Sequence, residues 1–200
     1  MSKRGIFICI EGLDGSGKTT QAKILAERLC KSHRAVYTAE PSRGKIGNFI
    51  RDCCLYDGNR LPTEAEALLF AADRIEHVQN EIAPFLAEGK LVICDRYVYS
   101  SLAYQGSAGL SLAWIKTINA RALQPDFTIF IDVPPERVLE RLKRKRSVME
   151  TLEIQRKVRE VYLKFVDEGE LIKIDGDKPK DTVADELYLK ILSLLKVNST

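Results

Sequence analysis

The sequence predicts an α/β fold in three layers, α/β/α, with a five-stranded parallel sheet flanked by helices. Short β-rich runs alternate with helical patterns along the 200 residues. Runs such as Leu91-Val92-Ile93-Cys94 and Phe127-Thr128-Ile129-Phe130-Ile131 lack the regular polar alternation of a half-exposed strand, so they read as buried on both faces. The first strand also leads directly into a glycine-rich loop and then a helix.

Taken in order, Ile6–Glu11 is the first strand. Gly12–Thr20 follows as Gly-Leu-Asp-Gly-Ser-Gly-Lys-Thr-Thr and matches the phosphate-binding loop pattern G-x-x-x-x-G-K-[ST] at every fixed position. Glycines let such a backbone turn tightly and approach an anion. Its amides then form a nest for phosphate oxygens at the positive end of the next helix. The loop residues Gly12, Leu13, Asp14, Gly15, Ser16, Gly17, Lys18, Thr19 and Thr20 are therefore candidate ATP-binding residues. Lys18 would reach the outer phosphates, and the Thr19 hydroxyl would ligate Mg²⁺. These features point to a P-loop NTPase fold. The remaining strands are expected at Ala35–Ala39, Leu91–Cys94, Phe127–Val133 and Leu171–Ile174. Helices are expected near Lys18–Ser32, Lys45–Tyr56, Thr63–Glu88, Leu112–Ala122, Pro135–Lys145, Met149–Val166 and Thr182–Val197. In an open α/β sheet, ligands bind beyond the carboxyl ends of the strands. That rule selects Gly12–Thr20, Glu40–Gly44 and Asp95–Tyr97, which carry the glycines and charges an anion site needs.

Composition narrows the class. The length suits one domain, 1–200, and no repeat, low-complexity stretch or linker divides it. A net charge of +3 is too small to imply nucleic-acid binding. The five cysteines, Cys9, Cys30, Cys53, Cys54 and Cys94, are odd in number and contain no C-x-x-C pair, which argues against a disulfide framework or a zinc site. Cys9 and Cys94 fall in apolar strands and read as core. Reduced thiols, no secretion signal and no membrane-length apolar run predict a cytoplasmic protein. His33 and His77 lie in no motif, and no serine or cysteine hydrolase constellation is present.

Three further segments carry chemistry. Asp95-Arg96-Tyr97 would place a carboxylate near Mg²⁺ and a guanidinium near the transferred phosphoryl group; a plain strand-end ion pair is the alternative. Arg141–Arg146, Arg-Leu-Lys-Arg-Lys-Arg, reads as a nucleic-acid patch, a solvated helix face, or a short lid over ATP at about 141–150 that supplies arginines. The loop interior, Asp14-Gly15-Ser16, has no basic residue, which favours the lid. Phe70 and Arg74 are four apart and share a helix face, suiting a heterocyclic base; Phe70 as core and Arg74 as a surface charge is the alternative.

Together these residues resemble the thymidylate kinase family over nearly the whole chain. Glu11–Thr20 resembles the family loop, including the acidic Asp14. Glu40-Pro41 is similar to the family's Arg-Glu-Pro segment, although Ala39 stands where arginine is usual. Leu69-Phe70 with Arg74 resembles the base-binding helix. Asp95-Arg96-Tyr97 with Ser100-Ser101 and Ala103-Tyr104-Gln105-Gly106 resembles a second signature. Pro125-Asp126, Ile131-Asp132-Val133 and Lys157–Leu163 are also similar. The resemblance implies a homodimeric, Mg-ATP-dependent dTMP kinase. Phe70 would stack on thymine, with Arg74, Gln105 and Ser101 at its polar edge. Asp14 would accept from the deoxyribose 3′-hydroxyl. Arg51 and Arg96, with Arg43, would hold the acceptor phosphate beside Glu40. Arg141 would lie against adenine, with Asp175 beyond it, and Arg144 and Arg146 would be lid arginines. Thr19 and Asp95 would face the metal. After the lid the family usually has Arg-Phe-Glu or Arg-Tyr-Glu; here Val148-Met149-Glu150 stands instead, a change that bears on dTMP against dUMP. Another nucleotide kinase, a non-catalytic nucleotide-binding regulator and a nucleic-acid-dependent ATPase are the competing functions.

Overall fold

A computed structural model describes residues 4–52, 61–142 and 151–197. Five parallel strands form one sheet: β1 (Ile6–Gly12), β2 (Ala35–Ala39), β3 (Leu91–Asp95), β4 (Phe127–Asp132) and β5 (Ile172–Asp175). Their spatial order is β2-β3-β1-β4-β5. The chain thus builds one side of β1 first and then the other, so β1 is central and the loop after it sits in the crevice where the winding reverses. Cys9 pairs with Cys94 across β1 and β3, and Gly12 with Ile131 across β1 and β4. The interior strand β3, beside β1, is buried along its whole length, whereas the edge strands β2 and β5 are only partly covered.

Alternation along the strands sorts side chains onto two sheet faces. Ile8 and Ile10 join Leu25 and Leu29 of α1 (Lys18–Cys30) in one core, while Phe7, Cys9, Val92 and Cys94 pack with Ile82, Leu86 and Tyr97 in the other. Cys9 and Cys94 are free buried thiols, as expected of core positions, and burial pushes both up from the ordinary thiol value. Cys53 and Cys54 lie outside the described residues.

The other helices are α2 (Lys45–Ile50), α3 (Thr63–His77), α4 (Ala83–Ala87), α5 (Val98–Ser107), α6 (Leu112–Ile118), α7 (Pro135–Arg141), α8 (Leu152–Asp167) and α9 (Lys180–Val197). Helices α6 and α7 end at Ile118 and Arg141, short of the expected Ala122 and Lys145, and two further differences are larger. The helix expected over Thr63–Glu88 is interrupted by a π-helical segment at Val78–Ile82. Pro84 has no amide proton, and its ring crowds the carbonyl one turn back, so a wider turn accommodates it. Helix α5 was not expected at all. Its sequence, Val-Tyr-Ser-Ser-Leu-Ala-Tyr-Gln-Gly-Ser, is poor in strong helix formers. The carboxylate of Glu11, at the end of β1, accepts from the backbone amides of Tyr97 (2.8 Å) and Ser100 (3.1 Å). A strand residue far away in sequence therefore does the work of a helix cap.

Candidate active site

The loop after β1 folds as its pattern requires. Gly15 and Gly17 have φ of +88° and +90°, a left-handed conformation that glycine adopts without strain. A Cβ on Gly15 would also come within 3.0 Å of Leu142. Lys18 opens α1 and curls back, its ammonium donating to the Leu13 carbonyl at 3.2 Å and lying 3.5 Å from Asp14 Oδ1. Burial and the nearby Arg96 charge lower its pKa from the ordinary lysine value.

Arg96 follows β3 and meets this loop from the side. Its backbone takes φ +69°, which for a side chain as large as arginine costs about 1–3 kcal/mol. The Arg96 amide is held by the Ile10 carbonyl at 3.0 Å. The guanidinium donates to Asp14 Oδ1, to Ser100 Oγ (2.9 Å) and to the Tyr104 hydroxyl (3.3 Å), and stacks over the Tyr104 ring. Tyr104 in turn donates to Asp14 Oδ2 at 3.1 Å. Burial alone would raise the Asp14 carboxyl, but the Arg96 and Lys18 charges outweigh it and hold it well below the usual carboxylate range. Three formal charges, Asp14, Lys18 and Arg96, thus converge at the mouth of the loop.

Thr19 and Asp95 form a second group there. Thr19 Oγ1 donates to Asp95 Oδ2 at 2.5 Å, and Asp95 Oδ1 is buried with no hydrogen-bond partner among the described residues. An orphaned carboxylate oxygen beside a hydroxyl on a phosphate loop is the donor set a hard divalent cation takes, so Mg²⁺ fits these residues.

A third group lines the carboxyl end of β2 and the facing helices. Arg74 is 1% exposed and its guanidinium donates to Glu40 Oε2 (2.7 Å), to Asn119 Oδ1 and to Ser101 Oγ (3.3 Å). It also lies over the Tyr97 ring, 5.0 Å from its centroid. Arg74 is therefore a buried ion, not a surface charge. Phe70, one turn earlier on α3, is half-buried. Ser101 and Gln105 share one face of α5 and are both buried. Gln105 Oε1 and Arg74 Nε are buried without hydrogen-bond partners among the described residues. Beside this group, Arg51 donates to the carbonyls of Ser42 (2.5 Å) and Pro41 (2.7 Å), while the exposed Arg43 follows on the same loop.

On the opposite side, a cleft of about 320 Å³ runs past the loop, lined by Gly15, Ser16, Gly17, Thr20, Gln21, Arg141, Gly176, Lys178, Lys180 and Val183. Arg141 donates to the Gly176 carbonyl (3.3 Å) and to Asp177 (3.1 Å). Asp175 is exposed at the end of β5 and caps the Asp177 amide at 3.0 Å.

The fold thus gathers the loop, Asp95 and Arg96 at one point, with the Phe70–Arg74–Ser101–Gln105 group on one side and Arg141 with Asp175 on the other. A family model for thymidylate kinase matches residues 10–187, a span that takes in all three groups. The chain belongs to the thymidylate kinase family. Among its relatives, a probable thymidylate kinase of Pyrococcus horikoshii is 50% identical over 172 residues, covering 82% of this chain and 84% of the relative. One from Pyrococcus abyssi is 46% identical over 201 residues, 96% of this chain and 97% of the relative. One from Pyrobaculum aerophilum is 43% identical over 182 residues, 90% of this chain and 93% of the relative.

Several site residues had no motif to announce them. Asn119 buttresses Arg74 from the end of α6. Asp73 accepts from the Ser42 amide (2.8 Å) and hydroxyl (2.5 Å), pinning the Arg43 loop. His77 contacts Glu40 Oε1 at 3.3 Å. The only available signal was polarity on the inner face of a helix. Arg144 and Arg146, and Met149 with Glu150, lie outside the described residues.

Proposed function

We propose that this chain transfers the γ-phosphoryl group of Mg-ATP to the 5′-phosphate of dTMP, giving ADP and dTDP. The observation that carries this reading is the convergence of Lys18 and Arg96 on the phosphate loop, with Asp14 between them. The acceptor is already an anion near neutral pH, so the task is to bring two polyanions together, which calls for positioning and positive charge. Lys18 would hold the outer phosphates of ATP and Arg96 the group in transit. Arg51 and Arg43 would hold the acceptor phosphate near Glu40, and Arg144 and Arg146 would add charge from the donor side. Thr19 and Asp95 would hold Mg²⁺, which when bound offsets phosphate charge. Arg141 borders a cleft of suitable size for adenine, and Asp175 would lie just beyond it, next to the lining residue Gly176.

Thymine fits the remaining polar groups. Its O4 accepts and its N3–H donates, matching the unspent Arg74 Nε donor and the Gln105 Oε1 acceptor beside Ser101, with Phe70 stacking on the ring. Asp14, held ionised, would accept from the 3′-hydroxyl. Leu68 and Ile75, 50% and 38% exposed on one face of α3, support a homodimer packed through helices. No described helix is long and apolar enough to cross a membrane, and a cytoplasmic location completes the proposal.

A coupled ADP-release assay tests it, with Mg-ATP against dTMP, dUMP, dGMP, thymidine and buffer. ADP release that depends on dTMP is expected. Folded, ATP-binding protein that releases no ADP above buffer with any acceptor would point instead to a non-catalytic regulator.

A further inference from the structure

Glu11, the one charged residue of β1, is 0% exposed, and beyond capping α5 none of the catalytic or binding roles above uses it. Both its oxygens are engaged. Oε1 accepts from the amides of Tyr97 and Ser100; Oε2 accepts from Ser100 Oγ at 2.6 Å and from the Tyr162 hydroxyl of α8 at 2.9 Å. Ser100 Oγ also receives Arg96 Nη1 at 2.9 Å and lies 3.1 Å from the Tyr162 hydroxyl. The Ser100 hydroxyl has one proton, which it gives to Glu11, and so it presents a lone pair to Arg96. Tyr162 is itself fixed, stacked on Phe130 of β4 with ring centroids 4.7 Å apart.

The geometry has two consequences. A carboxylate that only capped α5 would need Oε1 alone. The second oxygen builds a chain, Tyr162 to Glu11 to Ser100 to Arg96, that ends on a guanidinium whose backbone is held in a left-handed conformation. Arg96 needs such support, because its long side chain must sit between Asp14 and the phosphates. We infer that Glu11 is a positioning residue for phosphoryl transfer, setting the Arg96 guanidinium through Ser100 and anchoring it through Tyr162 to α8. The inference rests on the proposed role of Arg96. Burial raises the Glu11 carboxyl from its ordinary value despite these donors, so ionising it at this position opposes stability.

Ser100→Ala is the discriminating variant, because it leaves Glu11 with Tyr162 and both capping amides and removes only the relay to Arg96. Its kcat for dTMP is expected to fall about tenfold, with KM for ATP within about twofold of wild type, since a misplacement approaching 1 Å costs up to about 10²-fold. In Arg96→Ala, adding Ser100→Ala is expected to cost nothing further. Wild-type kcat in Ser100→Ala, or independent multiplying losses in the double variant, would overturn the inference. Should Ser100→Ala not fold, Glu11→Gln, alone and combined with Arg96→Ala, is judged by the same two criteria. Full turnover by Arg96→Ala would bring down the Arg96 role and the inference together; an inactive Arg96→Ala beside a fully active Ser100→Ala would bring down the inference alone.

Discussion

Glu40 and Arg74 form an ion pair 2.7 Å apart in which each side chain is only 2% exposed. At an effective dielectric of about 20, two unit charges at that separation attract by about 6 kcal/mol, most of which repays the desolvation of both. Removing one charge leaves the other buried without its counter-ion, a loss of about 3–5 kcal/mol. Glu40→Gln keeps the shape and one acceptor oxygen, and Arg74 retains Asn119 and Ser101, so the lower end, about 3 kcal/mol, applies. For a chain of this length that lowers Tm by about 6–12 °C. Arg74→Met strands Glu40 in the same way, whereas the double variant removes both charges and recovers much of the loss. Urea unfolding of wild type, both single variants and the double variant measures the coupling. The KM for dTMP is expected to rise in every variant, because Arg74 moves or is lost. If Glu40→Gln unfolds within about 0.5 kcal/mol of wild type, the pair is not the buried, mutually dependent unit described here.

Lys18→Ala is expected to lower kcat by at least about 10²-fold, with the variant still folded; steady-state kinetics beside circular dichroism checks both, and near-wild-type turnover would refute the role. Asp95→Asn should raise the Mg²⁺ concentration needed for half-maximal rate by about tenfold or more, since it removes the charge behind the orphaned Oδ1, and a magnesium titration at saturating ATP reads it. The Asp14 carboxyl lies below its ordinary 3.8 when folded, so its contribution to stability is fully present above that value and is lost as pH falls through the lower folded one. Asp14→Asn should therefore be less stable than wild type by a constant margin from neutrality to about pH 5, with the gap narrowing below about pH 3.5. Unfolding curves at three pH values test it, and an unchanged gap in acid would contradict the sign.

Period and punctuation alone determined much of this protein. The five strands read as apolar runs because a parallel sheet covered on both faces needs little polar alternation, and the observed strands agree with those runs to within one residue at each end. The phosphate loop was legible because its chemistry depends on backbone conformation, and glycine at fixed spacing is the local cause of that conformation. Lys18, Thr19, Asp95 and Arg96 could be expected to meet because they sit next to strand ends, where topology brings distant segments together, and the fold does bring them to one place. Helix α5 was missed because its stability is not local: Ser, Gly and aromatic residues disfavour it, and Glu11 caps it from another strand. For the same reason the spacing of Phe70 and Arg74 showed a shared face but not the burial of Arg74 among Glu40, Asn119 and Ser101. Sequence period reports which side chains point the same way. Whether a charge there is solvated or sealed against a counter-ion from another element is decided only when the elements pack.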